Sequence, residues 1–129
     1  MANTFKNDAF NLSLGITGTS TQKLYTCSTG VNSTVINTLT IVGTTPQVII
    51  DGLLQEVAIT FSLYIKSNIN GSIDSFYILD NYNLDPAYAI GNTYVVDKPL
   101  TLRDTDELWL ELLTPSTSCS VVLSYLEIS

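Results

Sequence analysis

Val57-Ala58-Ile59-Thr60-Phe61-Ser62-Leu63-Tyr64-Ile65 is the stretch that decides the fold. Its odd positions, Val57, Ile59, Phe61, Leu63 and Ile65, are all apolar, and between them stand Ala58, Thr60, Ser62 and Tyr64. A β-strand turns successive side chains to opposite faces, so this period of two lays a continuous apolar stripe on one face and a mixed, hydroxyl-bearing set on the other. A helix would scatter the same residues around its axis. The stretch is a strand with one face in a core.

The same period recurs along the chain. Glu107 to Leu113 aligns Leu108, Leu110 and Leu112 against Glu107, Trp109, Glu111 and Leu113. Ser120 to Ile128 aligns Val121, Leu123 and Tyr125 against Val122, Ser124, Leu126 and Ile128, and since neither side is polar throughout, this strand is central or covered on both faces. Shorter alternations run from Phe10 to Ile16, Lys23 to Ser28, Ser33 to Val42 (Val35, Leu39 and Ile41 against Ile36 and Val42), Gln47 to Ile50, Ser72 to Leu79, Tyr94 to Val96 and Leu100 to Leu102. Turn chemistry separates them at Gly43-Thr44-Thr45-Pro46, at Asp51-Gly52 directly before the Val57 strand, at Asn68 to Gly71 and at Arg103-Asp104-Thr105-Asp106. Asp80 to Tyr88 reads as the longest loop. With nine or ten strands and no helical period, residues 1–129 read as a single all-β domain, an antiparallel β-sandwich of the jelly-roll kind, with an immunoglobulin-like strand order as the alternative.

Composition narrows the function. The 129 residues carry a net charge of −7 and no histidine, with 45% hydrophobic and only 13% charged residues, so the surface is dominated by hydroxyls and amides. Lacking histidine, the chain has neither the commonest metal ligand nor the usual acid–base group near neutrality, and no cofactor, metal or catalytic residue is expected. The five cations, Lys6, Lys23, Lys66, Lys98 and Arg103, are scattered, which speaks against nucleic acid as a partner. The first residues lack the charged start and apolar run of a secretory signal, and no apolar run is long enough to span a membrane; a protein soluble as made is expected. Cys27 and Cys119 read as two buried free thiols, with a mutual disulfide as the alternative. The N-x-[ST] matches at Asn11, Asn32 and Asn70 carry little weight in so Asn-, Ser- and Thr-rich a chain.

Three groups of residues invite a chemical role. Asp104, Asp106, Glu107 and Glu111 could pair carboxylates for glycoside hydrolysis, but a solvated turn followed by a strand's polar face explains them more simply. Asn81, Asn83 and Asp85 alternate like the first ligands of a calcium loop without its glycine and distal glutamate, and loop chemistry accounts for them. Tyr64, Tyr82, Tyr88, Tyr94 and Trp109 are the aromatics expected at the surface; subunit contact is the first reading, ordinary core packing the second, and glycan stacking, through Tyr82, Tyr88 and Trp109, the third. Apolar residues on both faces of the Trp109 strand and of the last strand point to a partner subunit, and Phe5, Trp109, Leu126 and Ile128 are the expected contacts.

Two segments carry a family resemblance. Leu24-Tyr25-Thr26-Cys27 followed by Thr34-Val35-Ile36-Asn37-Thr38-Leu39-Thr40-Ile41 opens the first. The second is Lys98-Pro99-Leu100-Thr101-Leu102-Arg103-Asp104-Thr105-Asp106-Glu107-Leu108-Trp109-Leu110, leading to Val121-Val122-Leu123-Ser124-Tyr125-Leu126-Glu127-Ile128. In this pattern the chain resembles small virion structural proteins of tailed bacteriophages, although members of that family commonly have a glycine in the turn held here by Arg103 to Asp106. The resemblance implies a capsid decoration or cement protein, or a neck, tail or fibre part. It also implies a location in the virion, self-association as a homotrimer and contact with other virion proteins such as the major capsid protein. The expectation is a non-enzymatic decoration subunit, with a receptor- or glycan-binding tail or fibre module as the alternative.

Overall fold

The computed structural model describes residues 3–13, 19–27, 30–44, 47–56, 59–84, 93–96, 98–114 and 118–128. Its strands are β1 (Thr4–Ser13), β2 (Ser20–Thr26), β3 (Ser33–Thr44), β4 (Gln47–Ile50), β5 (Leu53–Glu56), β6 (Ile59–Ile69), β7 (Ser72–Leu84), β8 (Thr93–Val96), β9 (Leu100–Arg103), β10 (Glu107–Leu112) and β11 (Ser118–Ile128). Nine of them build two sheets. The first has the order β1-β11-β3-β8, with β9 also paired to β3, and the second the order β2-β10-β6-β7, while β4 and β5 form a separate hairpin.

All pairings within the two sheets are antiparallel; β1 with β11, β2 with β10, β3 with β8 and β9, and β6 with β7 are nested, while β11 with β3 and β10 with β6 join these pairs side by side. The chain is therefore one long hairpin rolled over on itself, which is the jelly-roll topology expected from the sequence. Its tip is Asn70-Gly71, where φ values of 53° and 85° give the two-residue primed turn whose twist matches that of the strands.

The core lies between the sheets and is built from the apolar stripes. Ile59, Phe61 and Leu63 of β6, Leu108, Leu110 and Leu112 of β10, and Val121 and Leu123 of β11 are fully buried there with Ile36, Leu39, Ile41, Leu24 and Leu102. Both cysteines are buried and unbridged. β10 and β11 are central strands, as their two-sided apolar character requires.

Several boundaries differ from the sequence reading for local reasons. The first strand starts at Thr4, so Phe5 lies within it. Gly43 and Thr44 extend β3 instead of turning, and Asp51-Gly52 closes a hairpin whose second strand, β5, precedes the Val57 stretch. Asp80 to Leu84 belong to β7, whose bend at Asn81 (φ 52°) gives a polar run the look of a loop. The register shift between β3 and β11 leaves Asn37 unpaired, so Ile36 joins Leu39 and Ile41 in the core and Val35 faces outward. Leu14, Ile16, Val57, Ala58, Asp85 and Tyr88 lie outside the described residues.

Candidate assembly surfaces

The register of the first sheet assigns its outer face row by row. Phe5 stands opposite Leu126, Leu126 opposite Val35, and Val35 opposite Thr101. A second row runs Ala9, Val122, Thr40, Val95, a third Asn11, Ser120, Val42, Thr93, and between them lie Asn7, Ser124 and Thr38. Ile128 and Ser33 border the face, and Arg103 at its corner is the one charged residue among these described positions. Phe5 is 73% exposed, and Val122, Val95 and Val42 are exposed as well. In a chain of net charge −7, an uncharged face of β-branched and hydroxyl side chains is a pronounced local departure. Three of the four expected contacts, Phe5, Leu126 and Ile128, come together here.

Trp109 lies on the other side of the molecule. The outer face of the second sheet carries the row Lys23, Trp109, Tyr64, Tyr77, flanked by Glu107 and Lys66 on one side and Glu111 and Ser62 on the other. Trp109 Nε1 donates to Glu107 Oε1 at 3.0 Å, and Lys66 Nζ sits 4.4 Å from the centre of its ring. Tyr64, expected at the surface, is only 6% exposed, because Tyr77 packs on it with ring centres 5.1 Å apart. Tyr82 is packed between Phe61 and Tyr94, at 5.6 and 4.7 Å, against the core. Tyr82 and Trp109 therefore do not share a surface, and the ring face of Trp109 beneath Lys66 is occupied.

At the open edge between β1 and β2 the two sheets part around a polar cleft of about 340 Å³. Lys6 and Asp8 share the face of β1 that carries Phe10 and Leu12 and so point inward. Tyr125 Oη donates to Asp8 Oδ2 at 2.7 Å, Tyr25 Oη donates to Glu127 Oε2 at 2.6 Å, and Lys6 Nζ meets Glu127 Oε1 at 2.6 Å. Thr34 Oγ1, fully buried, completes the chain 2.7 Å from Tyr25 Oη. The Lys6 ammonium and the Tyr25 hydroxyl hold the Glu127 carboxyl below its ordinary range. Burial, aided by the neighbouring carboxylates, pushes both phenols far above theirs. Glu127 and the two phenols are thus each held in one protonation state near neutrality, which suits a structural clamp and not proton transfer.

The acidic residues also separate. Asp106 is buried, accepting from Ser67 Oγ at 2.6 Å and from the Arg103 backbone N–H at 2.9 Å, with Thr105 in the left-handed region (φ 68°). It fastens the β9–β10 turn instead of being solvated there. Glu107 and Glu111 lie on the outer face opposite the leucines, as read from the sequence. Among the described residues no group of three or more cysteines and carboxylates is placed to hold a metal ion, and Asn81 and Asn83 belong to β7. Burial pushes the Cys119 thiol up to about 11 and raises that of Cys27, which lies 3.4 Å from Thr34 Oγ1.

No protein-family model matches the chain, and no curated protein matches it. Solved structures do. The major capsid protein P2 from bacteriophage PM2 superposes with a TM-score of 0.51 at 16% identity, over 98% of this chain and 45% of that one. The structure of infectious bursal disease virus, Gx strain, gives 0.48 at 8% identity over 98% of this chain and 36% of that one. A structure of Bacillus endospore appendages, described as disulfide-linked pili, gives 0.41 at 9% identity over 98% and 89%. The chain thus spans less than half the length of the two viral chains. The likeness to P2 establishes a shared jelly-roll β-sandwich, the class to which this protein belongs.

Proposed function

We propose that this protein is a non-enzymatic virion structural subunit, a decoration or cement protein that docks on neighbouring subunits of an assembled capsid. The observation that carries this reading is the uncharged outer face of the first sheet, where Phe5, Val122, Val95 and Val42 stand exposed among Ser, Thr and Asn. Four strands about 4.8 Å apart and some ten residues long give this face roughly 600 Å². A stable pairwise interface buries about 800 Å² on each partner, so a single contact here is weak. Repetition across a shell compensates: a surface that binds only the assembled lattice stabilises it by mass action, and copies joined to one another engage several sites at once. The virion partners named by the sequence resemblance, the major capsid protein foremost, supply such a lattice. The fold shared with P2, a major capsid protein, fits the same reading.

The test adds purified protein to shells that lack it and follows retention on the particle and the particle's thermal stability. Wild-type protein binds and raises the particle's melting temperature. Val122→Lys, which puts an ammonium at the centre of the uncharged face, abolishes both while the subunit stays folded. A wild-type protein that ignores shells, or a Val122→Lys variant that still decorates them, overturns the reading.

A further inference from the structure

Among the described residues the two sheets end in four edges: β1, β2, β7, and the pair β8 and β9. An edge strand offers its backbone N–H and C=O groups to any chain able to pair with them, and proteins block unwanted pairing with inward charges, lysine, proline or short strands. Three edges here carry such devices. β1 turns Lys6 and Asp8 inward, β2 is seven residues long with Lys23 at its middle, and β8 and β9 have four residues each with Lys98-Pro99 between them. β7 differs. It is 13 residues long, contains neither lysine nor proline, exposes Ile73 (71%), Phe76 and Tyr77, and has Asp74 as the one inward charge of its regular tract.

The turn before β7 determines which of its backbone groups are free. A two-residue primed turn at Asn70-Gly71 makes Ile69 and Ser72 a pair that exchanges both hydrogen bonds. Counting along the ladder, Ser67 with Asp74 and Ile65 with Phe76 are bonded pairs as well. Asn68 with Ile73, Lys66 with Ser75 and Tyr64 with Tyr77 are the alternate, non-bonded pairs, so Ile73, Ser75 and Tyr77 turn their N–H and C=O groups away from β6. Beyond Tyr77 the ladder shifts register and Asn81 takes a positive φ, which ends the regular tract.

We propose that this tract, Ile73 to Tyr77, pairs antiparallel with the same tract of a second copy about a two-fold axis through Ser75. That register uses every free group: Ser75 faces the partner's Ser75, and Ile73 faces the partner's Tyr77, twice. Each of these three residue pairs exchanges two backbone hydrogen bonds. The symmetry also matches the side chains. On the outer face each β-branched Ile73 meets an aromatic ring, a favourable cross-strand pair, and on the inner face Asp74 lies opposite Phe76, which keeps the two Asp74 carboxylates out of register. Such self-complementarity is what a two-fold contact demands, and it selects a second copy over an unrelated strand. Pairing joins two four-stranded sheets into one of eight strands and leaves the outer face of the first sheet open. The inference therefore stands or falls independently of the capsid role.

Sedimentation equilibrium and amide hydrogen exchange on the full-length protein, from low micromolar to near-millimolar concentration, test it. The expected result is a monomer–dimer equilibrium in which the Ile73, Ser75 and Tyr77 amides gain protection only as dimer forms. Ser75→Pro removes an N–H that points away from β6, so the β6–β7 ladder survives while the dimer weakens by at least about tenfold. Ile73→Lys places a charge on the edge without touching the backbone and has the same effect, whereas Val122→Lys on the other sheet leaves dimerisation unchanged. A protein that stays monomeric throughout, a dimer indifferent to Ile73→Lys, or one dissolved by Val122→Lys refutes the proposal.

Discussion

Tyr25→Phe deletes one buried oxygen and keeps the rest of the side chain in place. The ring remains 4.5 Å from that of Tyr125, so the packing between the sheets is preserved and the change isolates the hydroxyl. That hydroxyl donates to Glu127 at 2.6 Å and lies 2.7 Å from Thr34 Oγ1. A hydrogen bond to a charged group contributes about 1.5–3 kcal/mol, and the weaker Thr34 bond is largely offset by no longer burying the phenol oxygen. The expected loss at neutral pH is therefore about 1.5–3 kcal/mol, near 6–12 °C in melting temperature for a chain of this size. Glu127 sets the pH dependence. Its folded value is held below the unfolded value of about 4.3, so its ionised form contributes stability above that pH, and the contribution is lost as pH falls through the lower folded value. Without the Tyr25 hydroxyl the depression is smaller, so wild type and variant converge in acid. Urea unfolding across the acidic range measures this. A neutral-pH difference below about 0.5 kcal/mol, or one that persists unchanged through the acid range, would refute the clamp.

Other consequences follow from the same geometry. Asp106→Ala, which strips the buried carboxylate from Ser67 and from the Arg103 N–H, is expected to cost about 2–4 kcal/mol in chemical denaturation, against about 0.5 kcal/mol or less for exposed Asp104→Ala. Equal costs for the two would contradict the role of Asp106 as the fastening of the β9–β10 turn. Because Tyr25 and Tyr125 are both pushed far up, an unfolded chain ionises them near pH 10 and the folded one does not; stability should fall as pH rises past about 10, with the Tyr25 and Tyr125 phenolates emerging only on unfolding in an absorbance titration. Two phenols that ionise normally in the folded protein would count against their burial. Cys27 and Cys119 should resist alkylation at mildly alkaline pH until denaturant is added, since burial keeps both protonated; rapid labelling of the native protein would contradict this.

The parts of the structure legible in the sequence are those set by alternation within one strand. β6, β10 and β11 declare their buried faces through Phe61, Leu110 and Leu123, and the turn residues Asn70-Gly71 and Asp51-Gly52 stand where the chain reverses. What a strand's own residues do not encode is its neighbour. A single unpaired residue at Asn37 moved Val35 to the outside and Ile36 to the inside, and no period-two reading anticipates such a shift. Tyr64 looked like a surface aromatic because it opposes an aliphatic stripe, yet Tyr77 of the adjacent strand covers it. Asp106 looked like a solvated turn residue, yet Ser67, far away in sequence, takes its carboxylate into the interior. The expected contacts divided for the same reason: Phe5 and Leu126 are register partners, whereas Trp109 faces outward from the opposite sheet.

The most direct test is a reconstruction of a native particle that carries this chain, at a resolution that separates strands. The outer face of the first sheet, with Phe5, Val122 and Val95, should lie against neighbouring shell subunits. Ordered copies on the particle with that face open to solvent would contradict the proposed role.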